Sequence, residues 1–284
     1  MGRPASPAHD EAPRAGVGLG IVHQTRMFAA IDNGTFDTTY DTMTTEDFRS
    51  TMSREEYVAM GESIKAVIRL NAGKMKRGNV YVLNAPYNGG THLPDVTVIT
   101  PVFSSSNEIL FYVGSRGHHA DIGGITPGSM PPGSTGVEEE GVLIDNFLLV
   151  EEGRFREAET VALLGSGKYP VRNVRQNVAD LQAQVAANEK GVQELRRMVA
   201  HFGLDTVRAY MGHVQDNAEE SVRRVIGVLQ DGEFALPMDC NAVIKARITI
   251  GADRRSAKID FAGTSAQLPN NFNAPAAVCM AAVL

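Results

Sequence analysis

Three short runs decide the fold: Asn79–Pro86 (NVYVLNAP), Asp95–Phe103 (DVTVITPVF) and Glu108–Ser115 (EILFYVGS). Each is rich in Val, Ile, Tyr and Phe, and turn-forming clusters, YNGGTHLP and SSSN, separate them. Branched and aromatic side chains suit a half-buried pleated surface, so the runs read as sheet strands joined by loops. Upstream, SREEYVAMGESIKAVIRL from Ser53 to Leu70 offers a Ser cap, a Glu three positions on and apolar residues at helical spacing. That pattern predicts a helix across about 54–70.

Downstream, Gly114 to Gly136 holds seven glycines together with Met, Ile and ionisable side chains, which reads as a structured functional loop. VLIDNFLLVEEGRF fits a strand and hairpin. Between Asn173 and Leu229 apolar positions recur at steps of three and four, through Leu181, Val185, Asn188, Val192, Leu195 and Val199. The pattern breaks at Phe202-Gly203-Leu204-Asp205, read as a Gly C-cap followed by an Asp N-cap, so an antiparallel helical hairpin is expected. AVIKARITI, RSAKIDFAG and the run to Leu284 restore a strand pattern. The fold class is therefore mixed α/β (α+β). The segments are 1–15, a disordered tail; 16–58, an N-terminal stretch without placed elements; 59–172, a strand-rich α/β region; 173–231, the helical pair; and 232–284, the start of a β-containing domain. The ending at NAPAAVCMAAVL reads as cut, which predicts a fragment.

The net charge of −6 and the lack of basic blocks argue against a nucleic-acid partner. No stretch nears the roughly 20 apolar residues of a membrane helix. The first sixteen residues lack the basic and apolar regions of a secretion signal, so the cytoplasm is the expected address. Cys240 and Cys279 lie far apart without metal-binding spacing and read as thiols used as small hydrophobes. Gly165–Pro170 (GSGKYP) lacks phosphate-loop spacing, since Tyr169 follows the lysine, so ATP binding by this chain is not expected.

His9, His23, His201 and His213 occupy the tail, an unplaced segment and the helical region. The others fall in loops after predicted strands. His92 and Asp95 flank Leu93-Pro94, and His118-His119 with Asp121 follow 26 to 29 positions later. Adjacent strands would bring these side chains to one end of a sheet, and a mixed N/O set of that kind suits Zn²⁺, Mn²⁺ or Fe²⁺. Gly89-Gly90 and Gly123-Gly124 permit close backbone approach. Ordinary turn chemistry also uses Gly, Pro, Asn and Asp, and spacing alone leaves both explanations open.

Longer strings add a resemblance. VLNAPYNGGTHLPDVTVITPVF, FYVGSRGHHADIGGITPGSMPPGSTGVEEEGVLIDNF, NVRQNVADLQAQVAANEKGVQEL and IDFAGTSAQLPNNFNAP, in this order, closely resemble the hydantoinase B/oxoprolinase family from about residue 60 onward. The resemblance implies a B-type part that holds a divalent metal, beside an A-type subunit that binds ATP and phosphorylates an amide or carbonyl oxygen. It implies a small cyclic-amide substrate of the hydantoin or 5-oxoproline kind and a hetero-oligomer. Carried over by motif, His92 and Asp95 match the metal-binding H-x-x-D. One of His118/His119 matches the H-H-x-D-x-G-G segment: His118 is taken as the third ligand, with His119 and Asp121 as catalytic groups. Two departures stand out. Ala85 occupies the position of an aspartate in the family's Asn-Asp-Pro-Tyr, and Glu56 stands about where a histidine is expected; an earlier aspartate-bearing strand has no match in residues 1–58. A catalytically idle remnant that at most binds an A-type partner, and a ketone carboxylase subunit, are the other readings.

Overall fold

A computed structural model describes residues 25–30, 54–129 and 131–283, with side chains from residue 58 onward. The expected tail, the Ser53 cap and the Glu56 side chain lie outside what is described. The helix expected at 54–70 is α1 (Arg54–Leu70), and the three runs form β2 (Val80–Leu83), β3 (Asp95–Phe103) and β4 (Ile109–His118). Strand β4 runs three residues beyond the expected boundary and so carries Arg116, Gly117 and His118 inside the sheet. In the N-terminal stretch for which no element was expected, β1 (Thr25–Ala30) pairs along β4, from Thr25 opposite Gly117 to Ala30 opposite Tyr112. The hairpin after residue 142 is β5 (Phe147–Glu151) and β6 (Arg154–Phe155). Its turn is Glu152-Gly153, both at positive φ.

These strands make one antiparallel sheet in the order β1-β4-β3-β2-β5-β6. Alternation along the strands sends successive side chains to opposite faces. One face packs Tyr81, Leu83 and Ile99 against Met60, Ile64 and Val67 of α1. The other packs Val96 and Val98 against Val178 and Leu181 of α4 (Val174–Phe202). Further along, Val102, Phe111 and Val113 meet Val192 and Leu195 of α4 and Val207 and Met211 of α5 (Leu204–Val228). With each buried Val, Leu or Ile side chain contributing about 1.5–3 kcal/mol, the two faces make the sheet the stable platform of the molecule.

The helical pair has a one-residue junction. Gly203, at φ 84°, ends α4 and opens α5, and Asp205, expected as an N-cap, lies inside the first turn of α5. The apolar contact between the two helices gathers near this junction, at Leu195, Met198, Val199, Leu204, Val207 and Met211. Short helices α2 (Val137–Glu140) and α3 (Glu157–Leu164) lie earlier in the chain.

A second antiparallel sheet follows, in the order β7 (Gly232–Pro237), β8 (Val243–Ile250), β9 (Ala257–Asp260). Strand β7 is exposed along its whole length. Two expectations are overturned in this region. The terminal run forms α6 (Ala276–Val283) instead of strand, because four alanines in eight residues favour helix. Both cysteines are exposed, Cys240 in a turn and Cys279 on α6, and do not serve as buried hydrophobes.

Candidate metal centre

Asp95 opens β3 and His118 closes β4, and the register sets them directly opposite each other. Both project from the face that α1 covers, two residues from the Thr97 and Arg116 pair. His92 joins them from the loop before β3. Its Nδ1 lies 3.1 Å from Asp95 Oδ2, while His118 Nδ1 lies 3.0 Å from Asp95 Oδ1. The two imidazole centroids are 5.2 Å apart. Thr91 Oγ1 donates to Asp95 Oδ2 at 2.9 Å.

Behind this group the buried Arg116 guanidinium donates from Nε to Thr97 Oγ1 at 2.9 Å and from Nη2 to Ser63 Oγ at 2.9 Å. Ser63 Oγ in turn donates to Gly89 O at 2.6 Å, so α1 is tied to the loop that leads to His92. A Cβ at Gly89 would sit 2.5 Å from Glu62 O, and only glycine allows that approach. Burial by itself pushes the Asp95 carboxyl up. The contacts from His118 and His92, with the charge of Arg116, overcome burial and hold it well below the usual carboxylate range.

Donor chemistry and geometry both fit a cation. His92, Asp95 and His118 each offer one ligand atom, and these atoms lie within 4.8 Å of one another. His92 Nδ1 is buried, and its approach to Asp95 lacks the direction of a hydrogen bond, so a nitrogen facing the carboxylate has no hydrogen-bond partner. Two imidazoles and one carboxylate make a three-ligand set of the kind that leaves coordination positions open for water or substrate.

His119 and Asp121 lie outside this cluster. His119 is buried, with Nε2 3.1 Å from Gln184 Oε1 and Nδ1 2.9 Å from Asn177 Nδ2. Burial lowers its proton affinity and favours the neutral ring. The Asp121 carboxylate accepts from the backbone N–H groups of Gly123 at 3.0 Å and Arg172 at 3.1 Å and pairs with the Arg172 guanidinium at 2.5 Å. Arg172 also donates to Gly123 O and Gly124 O, which folds the glycine segment back on itself. Partial burial pushes the Asp121 carboxyl up. The backbone and guanidinium donors outweigh it and lower it below its ordinary value. Ala85 is buried at the start of the turn Pro86–Asn88, its carbonyl accepting from Asn88 and Gly90.

Sequence reasoning missed Thr91, Arg116, Arg172, Asn177 and Gln184. The last two were within reach, because Asn177, Gln184 and Asn188 recur seven and four positions apart on α4, the spacing of a single helical face. All three are buried, and they donate to backbone carbonyls of the sheet and the loop after it.

Among the described residues no helix is long and apolar enough to cross a membrane. The chain is 40% identical over 253 residues to 5-oxoprolinase 1 of Arabidopsis thaliana, with 80% of this chain and 20% of that protein covered. It is 42% identical over 240 residues to 5-oxoprolinase of Saccharomyces cerevisiae, covering 80% and 18%. It thus spans about a fifth of the length of these relatives. Among solved structures, the ATP-dependent caprolactamase of Pseudomonas jessenii superposes with a TM-score of 0.71 at 24% identity, covering 81% of this chain and 40% of that one. Acetone carboxylase in its nucleotide-free structure gives 0.63 at 20%, covering 80% and 32%. Both share the fold. Residues 55–284 match the hydantoinase B/oxoprolinase family, and the chain belongs to it.

Proposed function

We propose that this chain is the metal-holding part of a B-type component in an ATP-dependent hydrolase that opens small cyclic amides of the 5-oxoproline or hydantoin kind. The observation that carries the reading is the convergence of His92, Asp95 and His118 in a chain about 40% identical to two 5-oxoprolinases. In this reading the three side chains hold a divalent ion, Zn²⁺, Mn²⁺ or Fe²⁺. Bound there, such an ion supplies Lewis-acid polarisation of a carbonyl oxygen and acidifies water.

The chain's own residues do the rest. Asp95 stays ionised and aligns both imidazoles; Thr91 and the Arg116–Ser63 pair hold the carboxylate and its loop in place. Arg172 and Asp121 shape the glycine segment, where Gly123 and Gly124 pack against the main chain at Tyr169 and Glu140. His119 and Asp121, expected as catalytic groups, act here through position, since their polar atoms are engaged. In this reading ATP is used by an A-type partner. Acetone carboxylase shares the fold, but the 40–42% identities to 5-oxoprolinases favour amide hydrolysis over ketone carboxylation.

The test is elemental analysis of chain purified without chelator, beside a His92→Ala/Asp95→Ala double variant, followed by ATP-dependent ring opening of 5-oxoproline and of hydantoin with an A-type subunit. Near-stoichiometric metal in the wild type alone, with turnover of either ring, is expected. A wild type that is folded, free of metal and inert with its partner would overturn the proposal and identify the chain as an idle remnant.

A further inference from the structure

His119 has a hydrogen-bond pattern that fixes where its proton sits. Asn177 Nδ2 is 2.8 Å from Asp121 O, a carbonyl that can only accept, so the NH₂ end of this amide faces the loop. The same nitrogen lies 2.9 Å from His119 Nδ1, which must therefore be the ring's acceptor. On the other side Gln184 Nε2 donates to Val96 O at 2.9 Å, which turns Gln184 Oε1 toward His119 Nε2 at 3.1 Å. An oxygen there requires a donor, so Nε2 carries the proton. Two amides, each oriented by a backbone carbonyl, select one neutral tautomer. Gly117 makes room for this, since a Cβ at that position would lie 3.3 Å from the Gln184 amide carbon.

The main chain of His119 is anchored as well. Its N–H donates to Pro94 O at 2.8 Å, and Pro94 lies between His92 and Asp95. His118 is the last residue of β4 and its ring is half exposed, so beyond the strand its backbone is fixed by its neighbour. His119 thus joins three parts: the loop bearing His92, the strand end bearing His118, and α4.

We propose that His119, locked as the Nε2–H tautomer by Asn177 and Gln184, is a positioning residue that holds the His118 and His92 segments at the spacing a divalent ion needs, and is neither a ligand nor a proton-transfer group. This rests on the metal reading above and deepens it. The inference departs from chemistry usual for histidine, because both ring nitrogens are committed inside the protein. It also explains how adjacent histidines divide their work: strand alternation turns one toward the cation site and the other toward the amide stripe of α4.

The test uses the full chain labelled with ¹⁵N-histidine, with His119→Asn serving to assign the signal. Long-range ¹H–¹⁵N spectra of the chelated protein should show His119 as Nε2–H. Asn177→Asp replaces the donor at Nδ1 with an acceptor, which the Nε2–H tautomer cannot satisfy; Asn177→Leu removes the donor at similar volume. In Co²⁺ titrations followed by visible absorption, both variants should bind about tenfold more weakly than wild type, the scale on which groups that orient ligands act. Should Asn177→Asp fail to fold, Asn177→Leu and the wild-type tautomer carry the test. An Nδ1–H tautomer in the wild type, or variants that bind Co²⁺ as tightly as it does, would overturn the inference while leaving the metal reading intact. A wild type that binds no Co²⁺ would overturn both.

Discussion

Asp95 and His118 face each other across β3 and β4, and the Asp95 carboxylate reaches His118 Nδ1 at 3.0 Å with one oxygen and His92 Nδ1 at 3.1 Å with the other. One carboxylate thus sets the spacing of two imidazoles. What holds that carboxylate and its loops should therefore govern both metal affinity and stability.

Thr91 Oγ1 donates to the Asp95 oxygen nearer His92. Thr91→Val keeps the shape and removes the donor, so the affinity of the chain for Zn²⁺ should fall about tenfold, as for other groups that orient ligands. Isothermal titration measures this; an unchanged affinity would show that Asp95 needs no help in orientation.

Asn84 is fully buried and bridges three backbone groups: Nδ2 donates to Leu93 O and Val142 O, and Oδ1 accepts from Ile144 N–H. Asn84→Leu strands all three. With about 1–3 kcal/mol for each buried group left unsatisfied, the loss should be at least about 3 kcal/mol in urea unfolding. Asn84→Asp should cost comparably, since a carboxylate oxygen would then face the two carbonyls.

Gly124 sits at φ +87°, and a Cβ there would meet Glu140 O at 2.6 Å. Gly124→Ala combines a left-handed backbone with a clash against main chain that cannot swing away. About 1–3 kcal/mol for the backbone conformation, with the clash added, should lower the unfolding midpoint clearly. A variant as stable as wild type would mean that the segment has room to shift.

The Asp121 carboxyl is lowered in the folded chain relative to its ordinary value of 3.8. A group depressed by folding contributes stability that is fully present above its unfolded value, and that contribution is lost as pH falls through the folded one. Arg172→Leu removes the guanidinium's share of the depression and leaves the backbone donors of Arg172 and Gly123 in place. The stability gap between wild type and variant, measured by urea unfolding in chelator, should therefore be constant near neutral pH and narrow below about pH 4, close to the unfolded carboxyl. A gap that widens on acidification would contradict the assignment.

Much of this was open to reading in the chain itself. The strand runs from Asn79 to Ser115 and the helix at 54–70 follow from local pattern, because side-chain alternation and helical spacing are imposed by the backbone. His92, Asp95, His118, His119 and Asp121 stood out as unusual residues in strand-end loops, and the longer strings around them carried the family resemblance. Other features had only weak local signals. The AAVCMAAV run reads equally as a buried strand or a helix by hydrophobicity, and β7 lies exposed on an edge where alternation has little to face.

What the sequence by itself determined is the inventory: the central strands and the main helices, which loops hold the polar groups, and to which family the chain belongs. Only the tertiary structure decided which of those groups meet. Two adjacent histidines are equivalent in a list of residues, yet the register of β3 with β4 sets His118 opposite Asp95, and the next residue turns His119 toward Asn177 and Gln184, 58 and 65 positions away in sequence. The reason is physical: a strand's side chains alternate by its own geometry, but which residue lies across from it depends on pairing, and pairing is settled by burying both faces of the sheet at once.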